Sequence, residues 1–128
     1  CDGAETVASA MAARLNDVRH PSLPTFKQKD LALSQMDRGG TMVICELSGG
    51  REQAFAFLNA LKLIDISNNL GDSRSIATHP WSTTHKALSE DVRLELGITP
   101  GLLRLSIGLE HAQDLADDIM QALDIAGA

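Results

Sequence analysis

The stretch Gly101-Leu102-Leu103-Arg104-Leu105-Ser106-Ile107-Gly108-Leu109-Glu110 gives the clearest indication of the fold. Between its two glycines, a large apolar residue recurs at every second position and alternates with a set that includes Arg104. Successive side chains of a strand point to opposite faces of a sheet. We therefore predict a strand over 101–107 in which Leu103, Leu105 and Ile107 face the core and Arg104 faces the other way.

Arg104 is the residue of this strand whose chemistry is most informative. A guanidinium is always charged, and its planar fork binds a carboxylate through two hydrogen bonds. A position in mid-strand therefore indicates a fixed anionic partner. An arginine that is solvated, or paired with an internal Asp or Glu, fits the same pattern and is the commoner case. The alternation by itself does not choose between these interpretations.

Outward from this strand, the chain alternates between predicted helices and short predicted strands. Apolar spacing, helix formers and capping residues predict helices over 4–15, 27–36, 51–61, 90–96 and 112–123. Alternation and strand-forming residues predict strands around Val18 and over 42–47, 63–67 and 73–78. We expect Gly39-Gly40 to end the second helix. Most acidic residues of the last helix, Asp118 among them, are expected on its solvent face.

These elements predict one domain with an α/β (α+β) two-layer sandwich fold. A chain of 128 residues is long enough to bury a core but too short for separate cofactor and substrate domains, and no linker divides it. Helices that alternate with short strands, without long βαβ runs or repeats, favour a small sheet with helices packed mostly on one face.

Composition and charge exclude several classes of protein. The net charge of -6, with no Lys/Arg cluster along the sequence, disfavours nucleic acid as a partner. The apolar runs are much shorter than the roughly 20 residues that span a bilayer, so we expect no membrane segment. Cys1 and Cys45 form neither a CxxC pair nor a disulfide framework, and no signal peptide opens the chain. We therefore expect a cytoplasmic protein.

Three weaker motifs suggest other chemistry. The run Leu47-Ser48-Gly49-Gly50-Arg51-Glu52-Gln53 is similar to the signature of ATP-binding-cassette ATPases, but no phosphate-binding GxxxxGK[ST] motif accompanies it, and a glycine turn is the alternative. The four histidines, His20, His79, His85 and His111, show no metal-ligand spacing. Ser82, Thr83 and Thr84 next to His85 lack the context of a nucleophile and its base.

Three ordered stretches of the chain resemble the C-terminal part of the Cys/Met-metabolism pyridoxal-phosphate enzymes. They cover 61–72, which contains Ser-Asn-Asn-Leu-Gly-Asp, then 79–85, which contains His-Pro and Thr-Thr-His, and then the strand region 101–110. The resemblance implies the C-terminal domain of a fold-type-I pyridoxal-phosphate transferase, with a small and mostly antiparallel sheet. It also implies that Arg104 binds the α-carboxylate of the substrate. Asn69 and Leu70 are then expected beside that carboxylate, with the Asn69 amide or the local backbone as donors.

Within the family, Asn69-Leu70-Gly71 resembles the acylhomoserine sulfhydrylases more than the lyases, which usually have Ser-Leu-Gly. The resemblance favours O-succinylhomoserine sulfhydrylase, in which sulfide replaces succinate and homocysteine is formed for methionine biosynthesis. O-acetylhomoserine sulfhydrylase, cystathionine γ-synthase and methionine γ-lyase remain alternatives, and so does a catalytically inert interaction module. Trp81 departs from the commoner alanine of the family, so the resemblance assigns it no role.

The resemblance also implies a cofactor and partners. The cofactor is pyridoxal 5'-phosphate, but none of the four lysines, Lys27, Lys29, Lys62 and Lys86, lies in the family's lysine motif, and the chain has no tyrosine. No catalytic or cofactor-binding residue is therefore expected in 1–128, and the cofactor-binding domain is expected upstream of Cys1. The implied partners are an amino-acid substrate, that N-terminal catalytic domain, and further copies in a homo-oligomer, with a tetramer expected.

Overall fold

One five-stranded sheet and five α-helices make up the computed structural model, which describes residues 1–128. The helices are α1 (Asp2–Ala12), α2 (Lys29–Gln35), α3 (Gly50–Ala60), α4 (Glu90–Glu95) and α5 (Ala112–Ala126). The strands are β1 (Val18–Arg19), β2 (Met42–Glu46), β3 (Asp65–Ile66), β4 (Ile76–Thr78) and β5 (Leu102–Ser106). A short 3-10 helix over Pro80–Ser82 follows β4. Every predicted helix and strand is present, with bounds that differ by a few residues.

The strand that decides the fold, β5, lies at the centre of the sheet. The strand order is β1-β2-β5-β4-β3, and β5 pairs antiparallel with both β2 and β4. Only β3 and β4 run parallel, so the prediction of a mostly antiparallel sheet is confirmed. In this register Arg104 lies between Ile44 of β2 and Thr78 of β4, and all three side chains share one face of the sheet.

Helices α1, α3 and α5 cover the other face of the sheet. Their apolar stripes form one core with the strand residues, because Val7, Phe57 and Ile119 are as fully buried as Leu103 and Leu105. The prediction of helices on one face is therefore confirmed. Helices α2 and α4 contain no buried residue and lie outside this layer. None of the five helices combines the length and the apolar character needed to cross a membrane.

Several predicted boundaries were wrong. Helix α2 ends at Gln35, before Gly39-Gly40, because Met36 is already extended with φ -136° and ψ 143°. Within the predicted strand 63–67, β3 covers only Asp65–Ile66, since the Asp118 carboxylate accepts from the N–H groups of Leu63 and Ile64 just before it. In the second half of the chain, Ser89 caps α4 as predicted, and Gly97 follows that helix with φ +75°.

Asp118 does not lie on the solvent face of α5, as the helical spacing suggested, but is 5% exposed. Its carboxylate accepts hydrogen bonds from the backbone N–H groups of Lys62 and Leu63, both at 2.9 Å, and of Ile64 at 3.3 Å. The N–H groups at the end of α3 and before β3 would otherwise lack partners. This buried acid therefore attaches α5 to the segment that leads into the Arg104 face.

Two glycines hold the ends of β5 against neighbouring backbone. A Cβ atom added at Gly101 would lie 2.1 Å from the carbonyl oxygen of Leu47, and one at Gly108 would lie 2.3 Å from that of Ser73. Neither site has room for a side chain. The two close approaches therefore fix the position of the strand that carries Arg104.

Candidate anion-binding site

The side chain of Arg104 extends from β5 to the turn that follows β3. Its Nη2 donates to the carbonyl oxygens of Asn68 and Asn69, each at 3.2 Å, and to Oγ1 of Thr78 at 3.3 Å. Two backbone carbonyls and one hydroxyl therefore hold one nitrogen of the guanidinium in place. Nη1 remains free for another partner.

No acidic side chain neutralises Arg104. None of the ion pairs in the structure includes it, and its Nη1 makes no hydrogen bond to the chain. Its Nε is buried and has no hydrogen-bond partner. A buried donor of a charged group without a partner is unfavourable. The alternative of an internal salt bridge is therefore wrong, and the arrangement is suited to an anion from outside the chain.

The sheet face around Arg104 is not an ordinary solvated surface. Ile76, Thr78, Leu102 and Ser106 are each at most 6% exposed, and Arg104 itself is only partly exposed. The fully solvated arginine that the pattern allowed is therefore not what the fold produces. Because water is largely excluded here, the charge of Arg104 acts more strongly on a bound anion than it would at an open surface.

The turn over 67–72 is fastened to this face by hydrogen bonds. The Thr78 hydroxyl donates to the carbonyl oxygen of Ser67, and the N–H of Gly71 donates to Oγ of Ser106 at 2.9 Å. Gly71 has a φ of +73°, which glycine adopts without strain. The turn is therefore held beside the guanidinium from two strands.

The turn itself still offers free hydrogen-bond donors. The N–H of Asn69 donates to Ser67, but that of Leu70 has no partner in the chain, nor has the side-chain amide of Asn69. The Leu70 side chain is 61% exposed. The three residues singled out in the sequence are thus brought together, since Asn69 contacts Arg104 through its carbonyl and Leu70 follows it directly.

A cavity of about 340 Å³ adjoins this turn and is lined by Asn68, Thr78 and His79 among others. His79 is 2% exposed and both of its ring nitrogens are engaged. Nε2 donates to the carbonyl oxygen of Pro100 at 2.7 Å, and Nδ1 forms a hydrogen bond of 2.7 Å with the Ser82 hydroxyl. His79 therefore holds the loop after β4 in place and is not a free base.

The weaker sequence motifs do not assemble into other sites. The run 47–53 forms a glycine turn into α3, in which Oε1 of Gln53 accepts from the N–H of Gly49 at 2.8 Å. Ser82 hydrogen-bonds to His79, while the exposed Thr84 hydroxyl hydrogen-bonds to Nδ1 of His85 at 2.8 Å without a third group that orients the ring. No group of three or more His, Cys, Asp or Glu side chains is placed to hold a metal ion. Burial raises the pKa of the Cys45 thiol to about 12, which removes it as a nucleophile.

Thr78 and Ser106 are site residues that the sequence reasoning did not single out. Alternation along β5 already places Ser106 on the same face as Arg104, so that signal was available. Thr78 becomes a neighbour of Arg104 only through the register of β4 against β5. A pairing between strands 26 positions apart has no signature in a single sequence.

Comparison with known proteins identifies the family. The family model described as "Cys/Met metabolism PLP-dependent enzyme" matches residues 3–124, which is nearly the whole chain. The chain belongs to this family. The match includes both the turn over 67–72 and the strand of Arg104.

Members of this family from several bacteria are similar to the chain. It is 46% identical over 110 residues to O-succinylhomoserine sulfhydrylase of Mycobacterium tuberculosis, covering 83% of this chain and 27% of that protein. It is 40% identical over 125 residues to L-methionine gamma-lyase of Pseudomonas putida, covering 96% and 31%. The chain thus spans between a quarter and a third of the length of these relatives.

Solved structures of the family have the same fold. A Campylobacter jejuni protein described as an O-acetylhomoserine (thiol)-lyase superimposes with a TM-score of 0.90 at 34% identity, over 96% of this chain and 30% of that one. Its structure contains N'-pyridoxyl-lysine-5'-monophosphate. The family depends on pyridoxal phosphate, and the two-layer fold of this chain matches about a third of the solved chain.

The residues of this chain do not provide the lysine that holds the cofactor at the Arg104 site. The lysines lie elsewhere: Lys27, Lys62 and Lys86 line three other surface pockets, and Lys29 donates to the carbonyl of Ser22. The single aromatic ring beside the turn, Phe55, packs edge-on against His79. The Arg104 site therefore offers an uncompensated guanidinium but no lysine to anchor the cofactor.

Proposed function

We propose that this chain holds the substrate carboxylate in a pyridoxal-phosphate enzyme that converts O-succinylhomoserine and sulfide into homocysteine and succinate. The observation that carries the proposal is the uncompensated guanidinium of Arg104, which is fixed through Nη2 and whose Nη1 makes no hydrogen bond to the chain. Its planar donors match the α-carboxylate of an amino acid. O-succinylhomoserine, O-acetylhomoserine and methionine all carry such a group.

The turn supports the same assignment. Asn69 and Leu70 supply two further donors, the side-chain amide and the backbone N–H, neither of which has a partner in the chain. A carboxylate seated at Arg104 and at these donors would have both oxygens bonded. We propose Arg104, Asn69 and Leu70 as the substrate-binding residues of this chain.

The role of such a site is to orient the amino acid. A carboxylate fixed at one end places the Cα hydrogen and the γ substituent at defined positions relative to groups supplied by the rest of the enzyme. The choice of O-succinylhomoserine is supported by the 46% identity to the Mycobacterium tuberculosis sulfhydrylase. It is also supported by Asn69 in the turn that borders the site.

The rest of the enzyme is the proposed partner of this chain. The relatives are three to four times as long, and α2 and α4 expose apolar residues on this domain. Leu31, Leu33, Leu94 and Leu96 are each between 48% and 59% exposed. We propose that an N-terminal catalytic domain and further copies in a homo-oligomer, a tetramer, cover such surfaces, and that the enzyme is cytoplasmic.

The test is Arg104→Gln in the complete enzyme that contains this chain. Loss of a charge-assisted contact worth about 1.5–3 kcal/mol should lower kcat/KM for O-succinylhomoserine about 10- to 150-fold. Arg74→Gln removes the same charge from an arginine that is 69% exposed and paired with Asp65, and serves as the matched control. Equal kcat/KM values for Arg104→Gln and the control would contradict the assignment.

A second candidate reaction is the elimination catalysed by a methionine γ-lyase, favoured by the 40% identity to that Pseudomonas putida enzyme. Values of kcat/KM for O-succinylhomoserine, O-acetylhomoserine and methionine, with and without sulfide, distinguish the candidates. We expect O-succinylhomoserine with sulfide to give the highest value. A higher value for methionine without sulfide would replace the sulfhydrylase with the lyase.

The third candidate is an interaction module without catalytic residues of its own. Absorbance of the 128-residue chain mixed with pyridoxal phosphate tests whether the chain can anchor the cofactor. We expect only the spectrum of free pyridoxal phosphate, because no lysine lines the Arg104 site. A band from cofactor joined to a lysine would show that the chain carries the anchor itself.

A further inference from the structure

Three cationic side chains meet in another pocket, which we call the Arg93 pocket. It is lined by Arg51, Trp81, Ser82, Lys86 and Arg93. Its cations come from three parts of the chain, namely the first turn of α3, the loop after β4, and α4. The sequence shows no Lys/Arg cluster, so folding alone assembles this one. The pocket has a volume of about 330 Å³.

Arg93 is held rigidly at the wall of this pocket. Its guanidinium carbon lies 3.9 Å from the centre of the Trp81 ring, and its Nη1 donates to the carbonyl oxygen of Trp81 at 2.8 Å. Its Nε is buried and has no hydrogen-bond partner. Its Nη2 makes no hydrogen bond to the chain, so this stacked guanidinium has a donor available for an oxyanion.

The charge of the Arg93 pocket is not neutralised by the chain. None of the ion pairs includes Arg51, Lys86 or Arg93, and no acidic residue lines the pocket. Arg51 lies in the first turn of α3, where the helix dipole is already positive. The chain has 17 acidic residues and a net charge of -6, yet none of these acidic residues forms an ion pair with the three cations of the pocket.

We propose that the Arg93 pocket binds a small, multiply charged oxyanion, either a phosphate group or a dicarboxylate. Three cations from different segments can contact different oxygens of one such ion, while a singly charged ion would leave most of the charge unpaired. Arg104 does not line this pocket. The proposal therefore stands independently of the function proposed for Arg104.

Trp81 provides the measurement, because it is the single tryptophan of the chain and forms the wall of the pocket. The 128-residue chain is titrated with inorganic phosphate and, separately, with succinate, each against sodium chloride at equal ionic strength. We expect a saturable change in Trp81 fluorescence with at least one of the two anions and not with chloride. Saturation by phosphate alone would identify a phosphoryl site, and saturation by succinate alone a dicarboxylate site.

Three variants locate the binding. Lys86→Gln, at an exposed position whose loss should leave the fold intact, should weaken binding about tenfold or more. Arg74→Gln carries the same charge change outside the pocket and should bind like the wild type. Arg104→Gln should also bind normally, which separates this site from the proposed substrate site. Circular dichroism verifies the fold of each variant.

Two results would overturn the proposal. One is a fluorescence response to phosphate and succinate that does not saturate or that chloride reproduces at the same ionic strength. The other is saturable binding whose affinity is equal in the wild type and in a folded Lys86→Gln variant.

Discussion

The two faces of β5 differ in what holds their residues in place. On the helix-covered face, Leu103 and Leu105 are fully buried among the side chains of α1, α3 and α5. On the opposite face, Leu102 and Ser106 are also buried, but they flank a guanidinium with an unpaired buried nitrogen. Both faces exclude water, yet only one of them satisfies all the groups that it buries.

This difference indicates a division of roles within one strand. The helix-covered face stabilises the domain through apolar contacts, in which size and shape matter. On the Arg104 face, a partly buried guanidinium has no acidic partner, which lowers the stability of the domain. An anion bound there would supply that partner. Changes on the first face should therefore lower stability, and changes on the second should mainly alter binding.

The largest expected effect is that of Leu105→Ala on the helix-covered face. Loss of a fully buried leucine leaves a cavity and should lower the free energy of unfolding by about 2–5 kcal/mol. Urea unfolding of the 128-residue chain measures it. Leu109→Ala is the matched control, because Leu109 is 87% exposed and should change stability by less than about 0.5 kcal/mol. Similar losses in both variants would contradict the conclusion that Leu105 is part of the core and Leu109 is not.

Gly108→Ala tests the close approach between the chain just after β5 and the backbone of the segment before β4. The added Cβ would lie 2.3 Å from the carbonyl oxygen of Ser73, so backbone must move. We expect a loss near the upper end of about 1–3 kcal/mol in the free energy of unfolding. A urea midpoint equal to that of the wild type would show that this approach is not close in solution.

Ser106→Ala tests the hydrogen bond that attaches the turn over 67–72 to the Arg104 face. It removes the acceptor of the Gly71 N–H and should cost about 0.5–1.5 kcal/mol of stability. Ser48→Ala, at an exposed serine whose side chain makes no hydrogen bond in the structure, should have no measurable effect. A loss as large as that of Leu105→Ala would contradict the division between the faces.

The smallest effect concerns Glu110, just beyond β5, whose carboxylate accepts from the N–H and the hydroxyl of Ser75 at 2.6 and 2.8 Å. Burial acts to raise the pKa of Glu110, but the N–H groups of Ser75 and of Glu110 itself and the Ser75 hydroxyl outweigh it and lower the pKa. A lowered pKa in the folded state contributes stability above the unfolded value of about 4.3, and this contribution is lost as the pH falls through the folded value.

The corresponding measurement compares wild type with Glu110→Gln by urea unfolding at several pH values. We expect the wild type to be more stable at pH 7 and the difference to shrink as the pH falls below about 4. Because both proteins share every other acid, the difference isolates Glu110. A difference that is constant from pH 7 to pH 3 would show that ionisation of Glu110 is not coupled to folding.

Most of the fold could be predicted from sequence because its elements have local signatures. Alternation in β2 and β5 and the apolar spacing of α1, α3 and α5 report directly which side chains face the core. Boundaries were less accurate: α2 ends where its own backbone becomes extended, and the extent of β3 depends on contacts from elsewhere in the chain. Asp118 was misplaced for the same reason, as its three N–H partners lie more than 50 positions away.

The candidate site was predictable in its residue types but not in its geometry. Arg104, Asn69 and Leu70 were singled out by resemblance to the family, and the chain belongs to that family. Thr78 entered the site through strand register, and Arg51, Lys86 and Arg93 met only in the folded chain. Anion binding by the Arg104 site and by the Arg93 pocket remains a prediction, which the Arg104 and Lys86 variants test.

The sequence by itself determined that 101–107 is a strand with one apolar face and with an arginine on the other. That pattern depends only on the two-residue repeat of an extended chain. Only the tertiary structure decided that this arginine has no acidic partner, because every carboxylate of the chain lies beyond reach of it once the sheet has formed. Charge compensation depends on distances across the fold, and those distances are set by packing between segments far apart in the sequence.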